Sequence, residues 1–223
     1  MTIGSASGAI AIIGWGSLIW DLDDLAPRVE GDWMIASGPT LPLEFSRVSL
    51  KRHGALTVVI DAEHGQACPT HVIRSRRASV LRAVVDLALR ERASPTRIGY
   101  VVAGEEDLDA EARRLDADWM AGRPGAAQAA DPAIAEAVRA WCIAGGWHGA
   151  VWTDLPGNFS EKTGDVFSVD RAERYLAGLD GLSSRSAVRY IAEAPAGTDT
   201  PLRRHLSAQT WWQTAVEGLD RGM

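Results

Sequence analysis

Two stretches of this chain carry residue types whose spacing suits chemistry. The first is Gly14-Trp15-Gly16-Ser17-Leu18, inside AIIGWGSLIW, where two glycines and a serine interrupt a strand-like apolar run. Glycine weakens a strand interior and marks a bend, or a place where another group comes close to the backbone. Small residues at a strand end can turn successive N–H groups toward one point, a nest for an anion such as a carboxylate. A β-bulge or a tight barrel corner uses the same residues. Three better-known loops do not fit. A nucleophile elbow needs glycine two places either side of the serine, where Trp15 and Ile19 stand. A dinucleotide fingerprint needs a third glycine at Ile19, and a Walker loop needs Gly-Lys-Ser/Thr.

The second is Glu91, in VVDLALRER. Val80, Leu81, Val84, Val85, Ala88 and Leu89 recur at helical spacing, which predicts a helix over 76–92 with Ser75 or Ser79 as N-cap. On that helix Val80, Val84 and Leu87 lie within roughly 40° of position 91. A carboxylate therefore closes the core-facing stripe, next to a helix C-terminus where the macrodipole opposes negative charge. That placement suits Glu91 to general acid–base work near neutral pH. An ion pair with an arginine such as Arg97 is the alternative role. Asp86 and Arg82 fall on the polar face.

Two further groups are weaker. His64, Cys68 and His71, in HGQACPTH, have spacings that zinc uses, but Cys68 and His71 are an odd number apart on an expected strand and point to opposite faces. No metal is expected. GGWHGAVWTDLPGNFSEKTG, read as a strand end running into a long loop, holds His148, Trp152, Asp154, Asn158 and Glu161, and loops are where binding residues concentrate. These five are candidate pocket-wall residues, with Glu161 a second-choice acid/base. A surface connection pinned by buried tryptophans is the competing reading.

The elements that must position these groups read as strands first and helices later. Strands are expected over 9–13, 32–37, 41–50 with a bulge near Ser46, 56–60, 66–74 completing a hairpin after DAEHG, and 97–103. Residues 104–149 are acidic and alanine-rich, a helical insertion divided by GRPGAAQAADP. Short helices follow over 171–179 and 187–192. A last helix starts near Pro201, with Thr198 or Thr200 as cap. Trp211 and Trp212 on it cannot both face one stripe. This order predicts one α+β domain over 1–223, a closed or half-closed barrel with helices around it and an insertion at about 104–149.

Composition narrows the function classes. At 223 residues and 46% hydrophobic, the chain can bury a full core. A net charge of −6 supplies no basic field for nucleic acid. All but Lys51 and Lys162 of the 23 basic residues are arginine. Two cysteines, Cys68 and Cys142, make no disulfide framework, which fits a reducing cytoplasm. No basic region precedes the first apolar run, so it does not read as a signal peptide, and no apolar run is long enough to span a membrane.

The segment GWGSLIW resembles the Gly-Tyr-Gly-Ser-Leu-Ile-Trp loop that opens gamma-glutamylcyclotransferase-like proteins of the ChaC type. LEFSRVSLKRHGALTVVID is similar to that family's next strands. LALRERASPTRIGYVV resembles the helix end and strand where it keeps a catalytic glutamate, and Glu91 is the matching position. The likeness covers residues 9–103, with a fainter echo over 187–206. Trp15 stands where the family has tyrosine, so that hydroxyl is missing, and the insertion departs from the pattern.

The resemblance implies a gamma-glutamylcyclotransferase-like barrel, and an enzyme that closes a gamma-glutamyl amine or peptide to 5-oxoproline with release of the amine. Under it Glu91 is the acid/base, Gly14, Trp15, Gly16, Ser17 and Leu18 hold the substrate, and neither metal nor cofactor is needed. The partner is then a small gamma-glutamyl compound. The alternative is a non-catalytic member of the same fold that binds a small acidic metabolite or acts as an interaction scaffold.

Overall fold

A strand with no polar side chain is stable only between two neighbours and beneath covering elements. IAIIG, strand β1 (Ile10–Gly14), is buried at every position in the computed structural model, which describes residues 8–115 and 125–220. On one side it pairs antiparallel with β6 (His71–Ser75), and on the other parallel with β9 (Gly149–Thr153). Outward from β6 lies β2 (Val29–Met34), and outward from β9 lie β7 (Ile98–Val102) and the short β8 (Ala127–Gln128). Helix α1 (Val80–Glu91) covers one face of this mixed sheet. Its Val80, Val84 and Leu87 meet Ile10, Ile12, Ile73, Ile98, Tyr100 and Val151 in one core. Ser79 caps α1 by accepting from the Arg82 N–H, and Arg92 ends it in the left-handed region at φ 52°. Leu18 and Leu25, from short 3-10 turns at Ser17–Ile19 and Asp23–Arg28, complete that core. The 104–149 stretch supplies α2 (Leu108–Arg114), β8 and α3 (Pro132–Gly145); part of its expected break lies outside the described residues.

A second, three-stranded sheet has β3 (Thr40–Ser49) between β4 (Ala55–Ile60) and β5 (Gln66–Pro69). The register of β3 against β4 shifts between Glu44 and Arg47, a bulge at the expected phase slip. Five helices follow: α4 (Phe159–Thr163), α5 (Val169–Ala177), α6 (Gly181–Ala192), α7 (Pro201–Ser207) and α8 (Thr210–Asp220). Helix α6 packs on β4 and α7 on β3. The chain falls into two compact units. One holds the six-stranded sheet, the chain up to Gly14 with Leu18–Pro39 and Thr70–Leu155; the other holds Trp15–Ser17, Thr40–Pro69 and Pro156–Met223.

The fold is α+β, but the described strands form two open sheets and no closed barrel. The reason sits at Pro69-Thr70. The expected 66–74 strand is divided there, because proline has no N–H for a ladder. Thr70 turns away, donating from its hydroxyl to the Pro39 carbonyl and accepting from Gly38 N–H. β5 then pairs with β3 on the side away from β4, so no β4–β5 hairpin forms, and β6 joins the other sheet. Several boundaries also move, among them the start of α1 at Val80 rather than 76 and of α6 at Gly181 rather than 187. The second strand begins at Val29 rather than 32, Ser79 alone caps α1, and the last expected helix is two, α7 and α8.

Candidate functional site

In the six-stranded unit, the end of β1 and the end of α1 meet the same segment. Arg90 of α1 donates to the Asp21 carbonyl through Nη2, and Leu18 shares the core of Val84, Leu87 and Ala88. Glu91 is thus carried to the segment that follows the glycine loop. Its side chain is 16% exposed and accepts from Arg90 Nη1 at 2.8 Å, while Arg90 is 4% exposed. The partner of Glu91 is therefore its neighbour Arg90, not Arg97. Gly14, opposite His71 in the ladder, has a packing reason. A Cβ there would lie 2.8 Å from Cη2 of Trp33 and 3.1 Å from Cδ1 of Ile19.

Trp15, Gly16 and Ser17 belong to the other unit. Trp15 is buried, donating from Nε1 to the Val58 carbonyl at 3.3 Å, while its own carbonyl accepts from the Thr198 hydroxyl at 3.0 Å. A Cβ on Gly16 would stand 2.7 Å from the Tyr190 hydroxyl and 3.0 Å from Val58 Cγ1. Ser17 is buried and opens the turn Ser17–Ile19. Both glycines of the loop are thus required by aromatic side chains pressed against the backbone.

The candidate wall residues are divided between the two units. His148 pairs with Glu106 at 3.2 Å, and the Glu106 carboxylate also accepts from the N–H of Val80, the first residue of α1. That pair caps the N-terminus of the helix whose other end carries Glu91, about 17 Å away along its axis. Trp152 is wholly buried in β9, where its ring lies on Gly99. Asp154 accepts from Ala130 N–H at 2.5 Å, and burial raises its carboxyl pKa. In the second unit, Asn158 is tied to both backbone groups of Val48. Glu161 is exposed and pairs with Lys162. On α8, Trp212 is buried and Trp211 donates to Glu173.

The zinc-like trio is divided between the two units. His64 rests on Asp61, Cys68 is buried in β5, and His71 lies in the other sheet, its Nδ1 accepting from Ala36 N–H at 3.0 Å. Among the described residues no group of three His, Cys, Asp or Glu side chains is placed to hold a metal ion.

Several polar residues that matter escaped the sequence reading. Asp86, expected on the polar face, is buried and gripped by Arg28 Nη1 at 2.7 Å and by Arg77 through Nε at 2.6 Å and Nη2 at 2.9 Å. Arg82, expected beside it, pairs with buried Glu111. The one available signal was the run Arg76-Arg77 just ahead of the helix. Glu44 is wholly buried in β3, accepting from the N–H groups of Phe45 and Leu202. Burial raises its pKa against those bonds and the Thr200 hydroxyl. Helix α7 packs over this part of β3. Set beside protein-family models, curated proteins and solved structures, the chain matches none.

Proposed function

We propose that this chain is a gamma-glutamylcyclotransferase-type enzyme, with a fold of that family built from open sheets rather than a barrel. The supporting observation is that Glu91, a mostly buried carboxylate ending the core stripe of α1, stands on the turn that holds the segment after the Gly14–Leu18 loop. In the reaction the substrate's α-amine attacks its own γ-carbonyl. A ring C–N bond forms, the original amide C–N bond breaks, and the products are 5-oxoproline and a free amine. Ring closure is intramolecular, so holding the substrate folded supplies much of the rate. The α-ammonium loses two protons on becoming the lactam N–H. Glu91 takes them one at a time and passes both to the departing nitrogen, which leaves as an ammonium, so the charge of Glu91 is unchanged over the cycle. The substrate is a small gamma-glutamyl amine or peptide, and the setting the cytoplasm. Among the described residues no helix is long and apolar enough to cross a membrane.

One observation favours the second reading, a non-catalytic relative that binds a small acidic metabolite. Arg90 already occupies Glu91, and Trp15 has no hydroxyl to offer. Glu91→Gln separates the two. As acid/base, its loss lowers 5-oxoproline formation by roughly two to four orders of magnitude with little change in melting temperature. As an ion-pair residue, its loss lowers the melting temperature, because Arg90 is stranded in the interior, and leaves any turnover nearly intact. Turnover on a panel of gamma-glutamyl amines and thermal unfolding, measured on one preparation, decide between them.

A further inference from the structure

In the unit containing β1, strands β2, β6 and β1 are neighbours, and each places one residue at the same end of the α1-facing side. Gly14 and His71 pair directly, and two residues along Ile12 pairs with Ile73 inside the α1 core, so all four side-chain positions share that face. Trp33 packs against the same core and lays its ring over Gly14. The last turn of α1 reaches this end too, since Leu18 shares its core and Arg90 holds the Asp21 carbonyl.

Two N–H groups are buried here without acceptors. His71 is 3% exposed, and its Nδ1 is committed to accepting from Ala36 N–H. The neutral ring must then carry its proton on Nε2. Burial lowers the His71 pKa, which keeps the ring neutral. That Nε2–H and the Trp33 Nε1–H find no acceptor among the described residues, and neither does Nε of Arg90. A buried donor without a partner is rare in folded proteins, and each such group calls for an acceptor that the described residues do not supply.

We infer that Trp33 and His71 are the paired donors of a carboxylate subsite at the Gly14 end of this sheet, which takes the carboxylate of a small amino-acid-like ligand. The chemistry of the donors selects the ligand. Both are neutral N–H groups and neither can accept, so they suit an oxygen with lone pairs and no hydrogen. At the last turn of α1 Arg90 is already shared between the Glu91 and Asp21 carboxylates, so the ligand's carboxylate draws its stabilisation from these two N–H dipoles. Only the choice of a glutamyl-type ligand rests on the cyclotransferase reading. In that reading Trp33 and His71 seat the α-carboxylate, while Glu91 handles protons at the same end of α1.

The test uses 5-oxoproline and its uncharged amide as probes on the whole, isotope-labelled protein. The indole N–H signal of Trp33, assigned with Trp33→Phe, is followed by NMR. Saturable movement with 5-oxoproline is expected, with the amide at least ~10-fold weaker and His71→Asn weakened ~10-fold, since asparagine keeps an acceptor for Ala36 and removes the Nε2–H. In the wild type the His71 Nε2 signal should shift with the same midpoint, a readout that needs no variant to fold. No saturable shift at either nitrogen, or equal affinity for the acid and the amide, overturns the subsite. The two proposals fail separately. Binding without turnover of any gamma-glutamyl compound keeps the subsite and removes the cyclotransferase. Turnover with KM unchanged in both variants does the reverse.

Discussion

Asp86 and Glu44 are both carboxylates taken out of water, one in each unit, and the chain deals with their charge in opposite ways. Asp86 is met by two guanidiniums, one of them bidentate, whose side chains remain 40% and 31% exposed. Arginine can reach inward from the surface while its head keeps partial hydration, so a buried acid is neutralised without burying a second full charge. Glu44 has no cation hydrogen-bonded to it among the described residues. It relies on two backbone N–H groups and a hydroxyl where β3 bulges against the start of α7. Dipoles offset desolvation less fully than cations do, so burial prevails and its pKa rises. One unit thus secures a buried acid with charge, the other with hydrogen bonds alone.

Four measurements break or sharpen this contrast. Asp86→Ala removes the acid and strands two arginines, and a loss of about 3 kcal/mol in urea unfolding is expected; a loss below about 1 kcal/mol would mean that water already solvates the cluster. Glu44→Gln exchanges one acceptor for a donor facing a backbone N–H, and should cost about 1–2 kcal/mol at acid pH. The raised folded pKa of Glu44 means that the native state holds the proton more tightly than the unfolded chain does. Its contribution is greatest below the ordinary carboxylate value of 4.5 and is lost as pH rises through the folded value. The gap between wild type and Glu44→Gln should therefore narrow from pH 4 to pH 8. A gap that widens refutes the raised pKa. The variant comparison is needed because Asp61, Glu111 and Glu173, all held low, act in the opposite sense and lose stability as pH falls.

Salt gives a smaller effect. Raising sodium chloride to ~1 M should reduce the cost of Asp86→Ala by less than about 1 kcal/mol, since its arginines are partly hydrated, and leave the cost of Glu44→Gln unchanged. The finest probe is thiol labelling. Burial pushes the Cys142 thiol up to about 12 and raises Cys68 as well, so both should resist maleimide in the native protein at pH 8. Each reports on its own unit. Asp86→Ala should speed labelling of Cys142 more than Cys68, and Glu44→Gln the reverse; equal acceleration would show that the two units open together.

Local signals of element type were legible because each depends on a few adjacent residues. The apolar stripe of α1 with its Ser79 cap, the bulge in β3, and Pro201 behind Thr200 are all where short-range sterics and hydrogen bonding put them. The glycine loop was legible as either a bend or a place of close approach, but neither which of the two nor what approaches could be read locally. Trp33 and Tyr190 fill those spaces from 19 and 174 residues away along the chain, counted from Gly14 and Gly16.

What only the tertiary structure decided is pairing at a distance. Periodicity reports which side of an element is apolar, and it labels the other side wet by default. That default fails at Asp86, whose partners come from Arg28 and Arg77, and at Glu44, where α7 packs over β3. His148 is the loop residue it reads as, between α3 and β9, but its ring joins Glu106 at the start of α1. The sequence by itself determined that a carboxylate closes the α1 stripe at Glu91 and that Gly14 and Gly16 mark either a bend or a close approach to the backbone. The tertiary structure decided that Arg90 is the carboxylate's partner and that His71 and Trp33 face inward with unspent N–H groups. Such choices depend on long-range strand order, which no local propensity encodes.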